Sequence, residues 1–202
     1  MKFFRRIFVI FIFSLFPLLC GAQAKVYTMK VKIADLPSRT TRVVISGERD
    51  FAKALRDGVF HYWRISPYEF CREEDYEKQN TDNTLYFLRP VNEEGIMMLS
   101  LSKGGVRKSD NTLFESFEIA RIPLGENYDD FGALVDILQN FASDAMKSDR
   151  VGYAGLKYRN AAGARTIRKL LKTEPERIRE VRAGRYSIVY DTLTHELLSY
   201  RK

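Results

Sequence analysis

Histidine, cysteine and tryptophan are scarce in this chain of 202 residues, which holds two, two and one of them. With only His61 and His195 to draw on, a catalytic triad or a histidine-rich metal centre has almost no material. Cys71 could pair with a histidine as nucleophile and base, yet no flanking signature of a cysteine enzyme accompanies it. No phosphate-binding loop, dinucleotide glycine fingerprint, calcium loop, HExxH or GxSxG occurs. The sequence therefore assigns no catalytic residue, no metal and no cofactor.

Long apolar runs are equally rare. The one that exists, Ile7 to Leu19, is apolar except for Ser14 and Pro17 and follows Lys2, Arg5 and Arg6. It is too short to cross a hydrocarbon core of about 30 Å, which needs roughly 20 apolar residues. A basic start, a short apolar stretch and small residues at Ala22 and Ala24 predict a cleavable signal peptide over residues 1–24, with the mature chain beginning near Lys25 or at Gln23. Cys20 offers a second reading as a lipid-anchored cysteine, but Leu19 stands where a small residue is wanted. The predicted product is exported: periplasmic or associated with the outer membrane in a bacterium, otherwise secreted, and without a transmembrane helix.

Export leaves a single cysteine, Cys71, so no internal disulfide can form and packing must supply the stability. Beside Phe70 in a strand-like segment, Cys71 reads as a small buried hydrophobe. Charge is the most informative feature. Residues 25–149 carry 17 Lys and Arg against 21 Asp and Glu, while 150–202 carry 13 against 5. A mildly acidic body is thus joined to a strongly basic segment, which suggests an anionic partner. For an exported protein that partner is an envelope protein, a surface polymer or lipid headgroups, and not nucleic acid.

Alternation over Val26 to Ile33 predicts a strand. Arg42 to Ser46 reads as a buried strand, and Phe51, Ala54, Leu55, Val59, Tyr62 and Trp63 define one face of a helix capped by Asp50. Tyr68 to Cys71 predicts a strand, and Glu73, Glu74 and Asp75 open a brief helix. Leu85 to Leu88 reads as a strand closed by Pro90, followed by antiparallel strands over Ile96 to Ser102 and Leu113 to Leu124, with Lys103 to Asn111 as a hairpin tip. Asp129 and Asp130 open the clearest helix, whose stripe runs from Phe131 through Met146. Beyond it, a short helix over Ala164 to Lys172 and a hairpin over Tyr186 to Tyr200 are expected. The predicted fold class is α+β: a mixed, largely antiparallel sheet covered by helices over residues 25–149, with a small basic appendage over 150–202 packed on it and ending in a β-hairpin.

The element order across Arg42 to Met146 resembles the periplasmic α/β domains of the TolB N-terminal, CsgG and LpoB kind. In that family a strand such as Leu85 to Leu88 precedes a hairpin like Ile96 to Ile122, and a helix like Phe131 to Met146 closes the sheet. The family's glycine after the third strand is replaced here by Arg89-Pro90. The resemblance implies a noncatalytic adaptor that docks on envelope machinery.

Glu73, Glu74, Asp75 and Glu77, like Asp129 and Asp130, cluster at predicted helix starts, where the helix dipole favours them without any catalytic role. The best binding candidate is Arg165, Arg168, Lys169 and Lys172, spaced by three and four and continued by Arg177, Arg179, Arg182 and Arg185. On a helix the first four would line one flank and hold an anionic surface. The function expected is that of a noncatalytic envelope protein binding a protein or anionic partner; the alternative is a secreted hydrolase using paired carboxylates.

Overall fold

β-Branched side chains pack well on a pleated surface, and the run Thr41–Ile45 forms β1, an interior strand of the main sheet. A computed structural model describes residues 29–107, 114–125, 128–159 and 163–202. The expected leader over residues 1–24 lies outside the described residues. The chain continues through α1 (Met29–Ile33, preceding β1), α2 (Arg49–Tyr62), β2 (Tyr68–Arg72), α3 (Glu73–Gln79), β3 (Tyr86–Glu93), β4 (Ile96–Arg107), β5 (Phe114–Pro123) and α4 (Phe131–Lys147). Strand order is β2-β1-β3-β4-β5. β1 pairs in parallel with both β2 and β3, and the β3–β4 and β4–β5 pairs are antiparallel.

The first parallel crossover runs from β1 out to β2 through α2, and the second returns from β2 past β1 to β3 through α3, so the two move in opposite directions along the sheet and the right-handed rule sends their helices to opposite faces. Accordingly Val43 faces the core under α2 and α4, whereas Val44 joins Cys71, Tyr76 and Phe87 beneath α3. The fold is α+β, a mixed sheet covered by helices. Long apolar stripes anchor the main layer: Leu134, Val135, Leu138, Ala142 and Ala145 of α4 pack with Leu55, Val59 and Trp63. The helices approach closely because two glycines meet there. A Cβ on Gly58 would lie 3.2 Å from the Phe131 carbonyl carbon, and one on Gly132 would lie 2.5 Å from the Tyr62 ring.

The basic segment forms α5 (Asp149–Ala154), α6 (Ala164–Thr173) and a second sheet, ordered β6 (Ile178–Ala183), β7 (Tyr186–Asp191) and β8 (Leu197–Arg201). One face of that sheet, with Val181, Tyr186, Ile188, Tyr190, Leu197 and Tyr200, is part of the main core. The other carries Ile178, Val189 and Leu198 against Ile167, Leu170 and Leu171 of α6. Polar contacts complete the join. Glu93 accepts from the Tyr186 hydroxyl at 2.8 Å, Arg121 at 2.9 Å, Arg185 at 3.1 Å and Lys202 at 3.2 Å.

Several expectations need correction. Met29–Ile33 is helical and not a strand, and residues 26–28 lie outside the described residues. Positions i and i+4 coincide in the two patterns; Met29 and Ile33 are buried while Val31 is 58% exposed, as a helix requires. The second helix starts at Arg49, so Asp50 sits in its first turn and Glu48 takes the cap position. Pro90 does not close β3. The β1 partner ends at Leu88, so Pro90 has only β4 beside it and occupies an edge, where a missing N–H is tolerated. β4 runs on to Arg107 instead of turning at Lys103, and residues 108–111 of the expected tip are outside the described residues. Within that extension Gly104 donates its N–H to Leu85 at 2.9 Å, and a Cβ there would collide with the Asp82 carbonyl. The terminal hairpin has a third strand, β6.

Two outcomes follow from this packing. Burial pushes the Cys71 thiol up in pKa, so alkylation by iodoacetamide should be at least about tenfold slower in the native protein than in denaturant. Hydrogen bonding by Tyr186 first and then Lys202, together with the charges of Lys202 and Arg121, lowers the Glu93 pKa from 4.5 to about 2. A depressed carboxyl stabilises the fold above its unfolded pKa and loses that contribution as pH falls. Thermal stability should therefore drop on acidification between 4.5 and about 2, and Glu93→Gln should flatten that part of the profile. Melting curves across the window decide it, and an unchanged slope in the variant would contradict the assignment.

Candidate functional site

Of the eight basic residues singled out in the sequence, the structure separates two groups. On α6, Arg165, Arg168, Lys169 and Lys172 are all exposed. Their spacing of three, four and seven puts them on one helical face, opposite Ile167, Leu170 and Leu171, which α6 turns to the β6–β7–β8 sheet. Among the described residues no carboxylate lies within ion-pair distance of any of the four; Arg168 reaches the Ala164 carbonyl at 3.4 Å. The other four are committed. Arg177 pairs with Asp191 at 2.7 Å, Arg179 with Asp130 at 3.0 Å, Arg182 with Glu180 at 2.9 Å, and Arg185 with Glu94 at 2.7 Å as well as with Glu93. The expected continuous basic flank is thus broken at the end of α6.

The second feature is not legible in the sequence: both histidines line one groove of about 550 Å³ between α2, the start of α4 and the β7–β8 turn. That is within the roughly 300–1,000 Å³ of binding clefts. Asp191 builds the turn. Its buried carboxylate accepts the backbone N–H groups of Leu193 at 2.9 Å and Thr194 at 3.2 Å, while His195 adopts a φ of 53°. Burial alone would raise the Asp191 pKa, but these donors and Arg177 outweigh it and hold the carboxyl below its usual value.

His195 is set by α4. Its Nδ1 lies 3.0 Å from Oδ2 of Asp136, and because a carboxylate only accepts, that nitrogen carries the proton. Oδ1 of Asp136 accepts from Gln139 Nε2 at 2.6 Å, and Gln139 in turn joins the end of α2 through the Tyr62 carbonyl and the Arg64 N–H, each at 2.8 Å. The imidazole also meets the Tyr62 ring edge-on at 4.9 Å. Close by, Asp130 accepts from Arg179 and from the Tyr190 hydroxyl, whose pKa is pushed up by burial and then by this bond. The groove rim holds Asp50, Lys53, Asp57, Tyr128 and Asp129.

The chemistry open to this arrangement is limited. Among the described residues no hydroxyl or thiol is hydrogen-bonded to His195, so its pairing with Asp136 activates no nucleophile. Cys71 is buried under α3, in a cluster that contains neither histidine. Asp50 and Asp57 stand two turns apart on α2, about 10 Å along its axis, and both are exposed. Among the described residues no group of three or more His, Cys, Asp or Glu side chains could hold a metal ion. Glu73, Glu74 and Asp75 lie at the start of α3, Asp75 capping it with a 3.3 Å bond from the Arg72 N–H.

No family model, no curated protein sequence and no solved structure matches this chain. Among the described residues no helix is long and apolar enough to cross a membrane.

The Asp136–His195 contact is expected to hold the β7–β8 turn on α4. Asp136→Ala removes the acceptor of two partly buried donors, His195 Nδ1 and Gln139 Nε2, and should cost about 1 to 3 kcal/mol in urea unfolding. Loss of less than a few tenths would mean that the turn is held by its apolar neighbours alone.

Proposed function

We propose that this protein is a noncatalytic, exported component of the cell envelope that holds an anionic partner on the outward face of α6. The observation that carries the reading is the contrast within the basic segment. Arg165, Arg168, Lys169 and Lys172 are exposed and, among the described residues, paired with no carboxylate, whereas Arg177, Arg179, Arg182 and Arg185 are each bonded to a carboxylate of the same chain. Cations that no carboxylate among the described residues neutralises are available to an external one. Export rests on the composition of residues 1–24, and the adaptor role accords with the resemblance in element order to periplasmic α/β domains.

The physics of this face defines the kind of binding. The apolar side of α6 is already packed on the β6–β7–β8 sheet, so the helix has no free apolar face to insert into a bilayer. Attachment is therefore peripheral and electrostatic, with each cation contributing about 1 kcal/mol near an anionic surface and the attraction decaying over about 10 Å at 0.1 M salt. Four such charges correspond to roughly a thousandfold in affinity.

Cosedimentation with phosphatidylglycerol vesicles, and with isolated anionic wall polymer, tests the reading. Binding to at least one is expected at low salt and should vanish near about 0.5 M. Changing Arg165, Arg168, Lys169 and Lys172 together to Gln should weaken it at least about a hundredfold. Binding that survives the four substitutions, or that ignores salt, would overturn the assignment.

A further inference from the structure

The β6–β7–β8 sheet separates two charged surfaces of opposite sign. Ile178 and Val189 face α6, while Arg179 and Tyr190, which are cross-strand neighbours, face the groove beside α2. The cations of α6 therefore point away from the groove of their own chain. On that groove Asp50 and Asp57 lie on one lip and Asp129 on the other, all exposed, and among the described residues no cation is within ion-pair distance of them. Arg179 is bonded to Asp130, which leaves Lys53 as the one uncommitted cation on this rim among the described residues. Tyr62 and Tyr128, 38% and 36% exposed, add ring faces on which an arginine or lysine can lie.

The dimensions agree as well as the charges. Asp50 and Asp57 are seven residues apart on α2, and Arg165 and Lys172 are seven apart on α6. Both pairs span about 10 Å of helix. We infer that α6 of one copy docks on the α2 groove of the next, linking copies head to tail. The inference rests on the α6 reading above and identifies a second copy as a partner for the same face. Because donor and acceptor surfaces differ, the contact is heterologous and does not stop at a dimer. An anionic surface competes for α6 and disperses the chains.

Sedimentation of the purified protein over a concentration series tests this. At low salt the weight-average mass should climb past about twice the monomer, and about 0.5 M salt should return it to monomer. Asp50→Lys with Asp57→Lys should abolish association, as should neutralising the helix with Arg165→Gln and Lys172→Gln, a pair that offers the lysine-bearing groove no new carboxylate. Mixed together, these two variants retain one intact surface each and should form a one-to-one dimer and nothing larger. All four positions are exposed, and melting curves verify that each variant is folded; Asp50→Asn with Asp57→Asn takes the place of the lysine pair if that variant is not. A wild type that stays monomeric, a doubly substituted α2 variant that still associates, or a mixture that stays monomeric would each overturn the inference. Vesicle or polymer binding separates the failures: if it persists in a monomeric wild type, only self-association falls, and if it is absent too, the α6 reading falls with it.

Discussion

An acidic body and a basic C-terminal segment are mated through carboxylates of the body, Glu93, Asp130 and Asp136 foremost, and the position of every terminal strand depends on them. Glu93 at the end of β3 receives Arg121, Arg185, Tyr186 and Lys202; Asp130 ahead of α4 receives Arg179 and Tyr190; Asp136 on α4 receives His195. Tyr186 and Tyr190 are buried in the main core, and a buried hydroxyl without an acceptor is costly. Sliding β7 by one residue would turn both rings to the α6 side and strand the carboxylates. These contacts thus specify register more than they add net stability, since desolvation offsets much of the gain of a partly buried charge pair.

This also accounts for much of the charge asymmetry. A count along the chain registers a surplus of cations after residue 150 without distinguishing those that face a carboxylate from those that face water. Arg179 shows the difference. In β6 it shares the face of the buried Val181, where an apolar residue would ordinarily mark the strand, yet stays half-exposed, because Asp130 lies opposite to receive it. The apolar residues of β6, Ile178 and Val181, consequently fall on opposite faces, three apart, and the period of two that announces a strand is missing. That is why the third strand of the second sheet is illegible while its neighbours are clear.

Elsewhere legibility follows the strength of the local pattern. β1, α2 and α4 are readable because each buries a continuous set of apolar side chains with one period. Met29–Ile33 is misleading because five residues are too few for the helix and strand periods to diverge at more than one position, Val31. The uncommitted face of α6 is readable, since it depends only on helical spacing. The groove is not. His61 and His195 share no local pattern, and they meet because the β7–β8 turn is carried back to α2 by the join just described. Topology, not motif, assembles that surface.

The join has a consequence for how the chain reaches its native state. Lys202 is 109 residues from Glu93, and Tyr186 is 93 residues from it. Contacts between such distant positions come late, because closing the intervening loops loses entropy before any contact compensates for it. Until β7 and β8 emerge, the apolar side chains that later meet Tyr186, Ile188 and Leu197 have no cover. Completion of the core is thereby deferred until both strands have been made, and the side chains of the C-terminal sheet join it last.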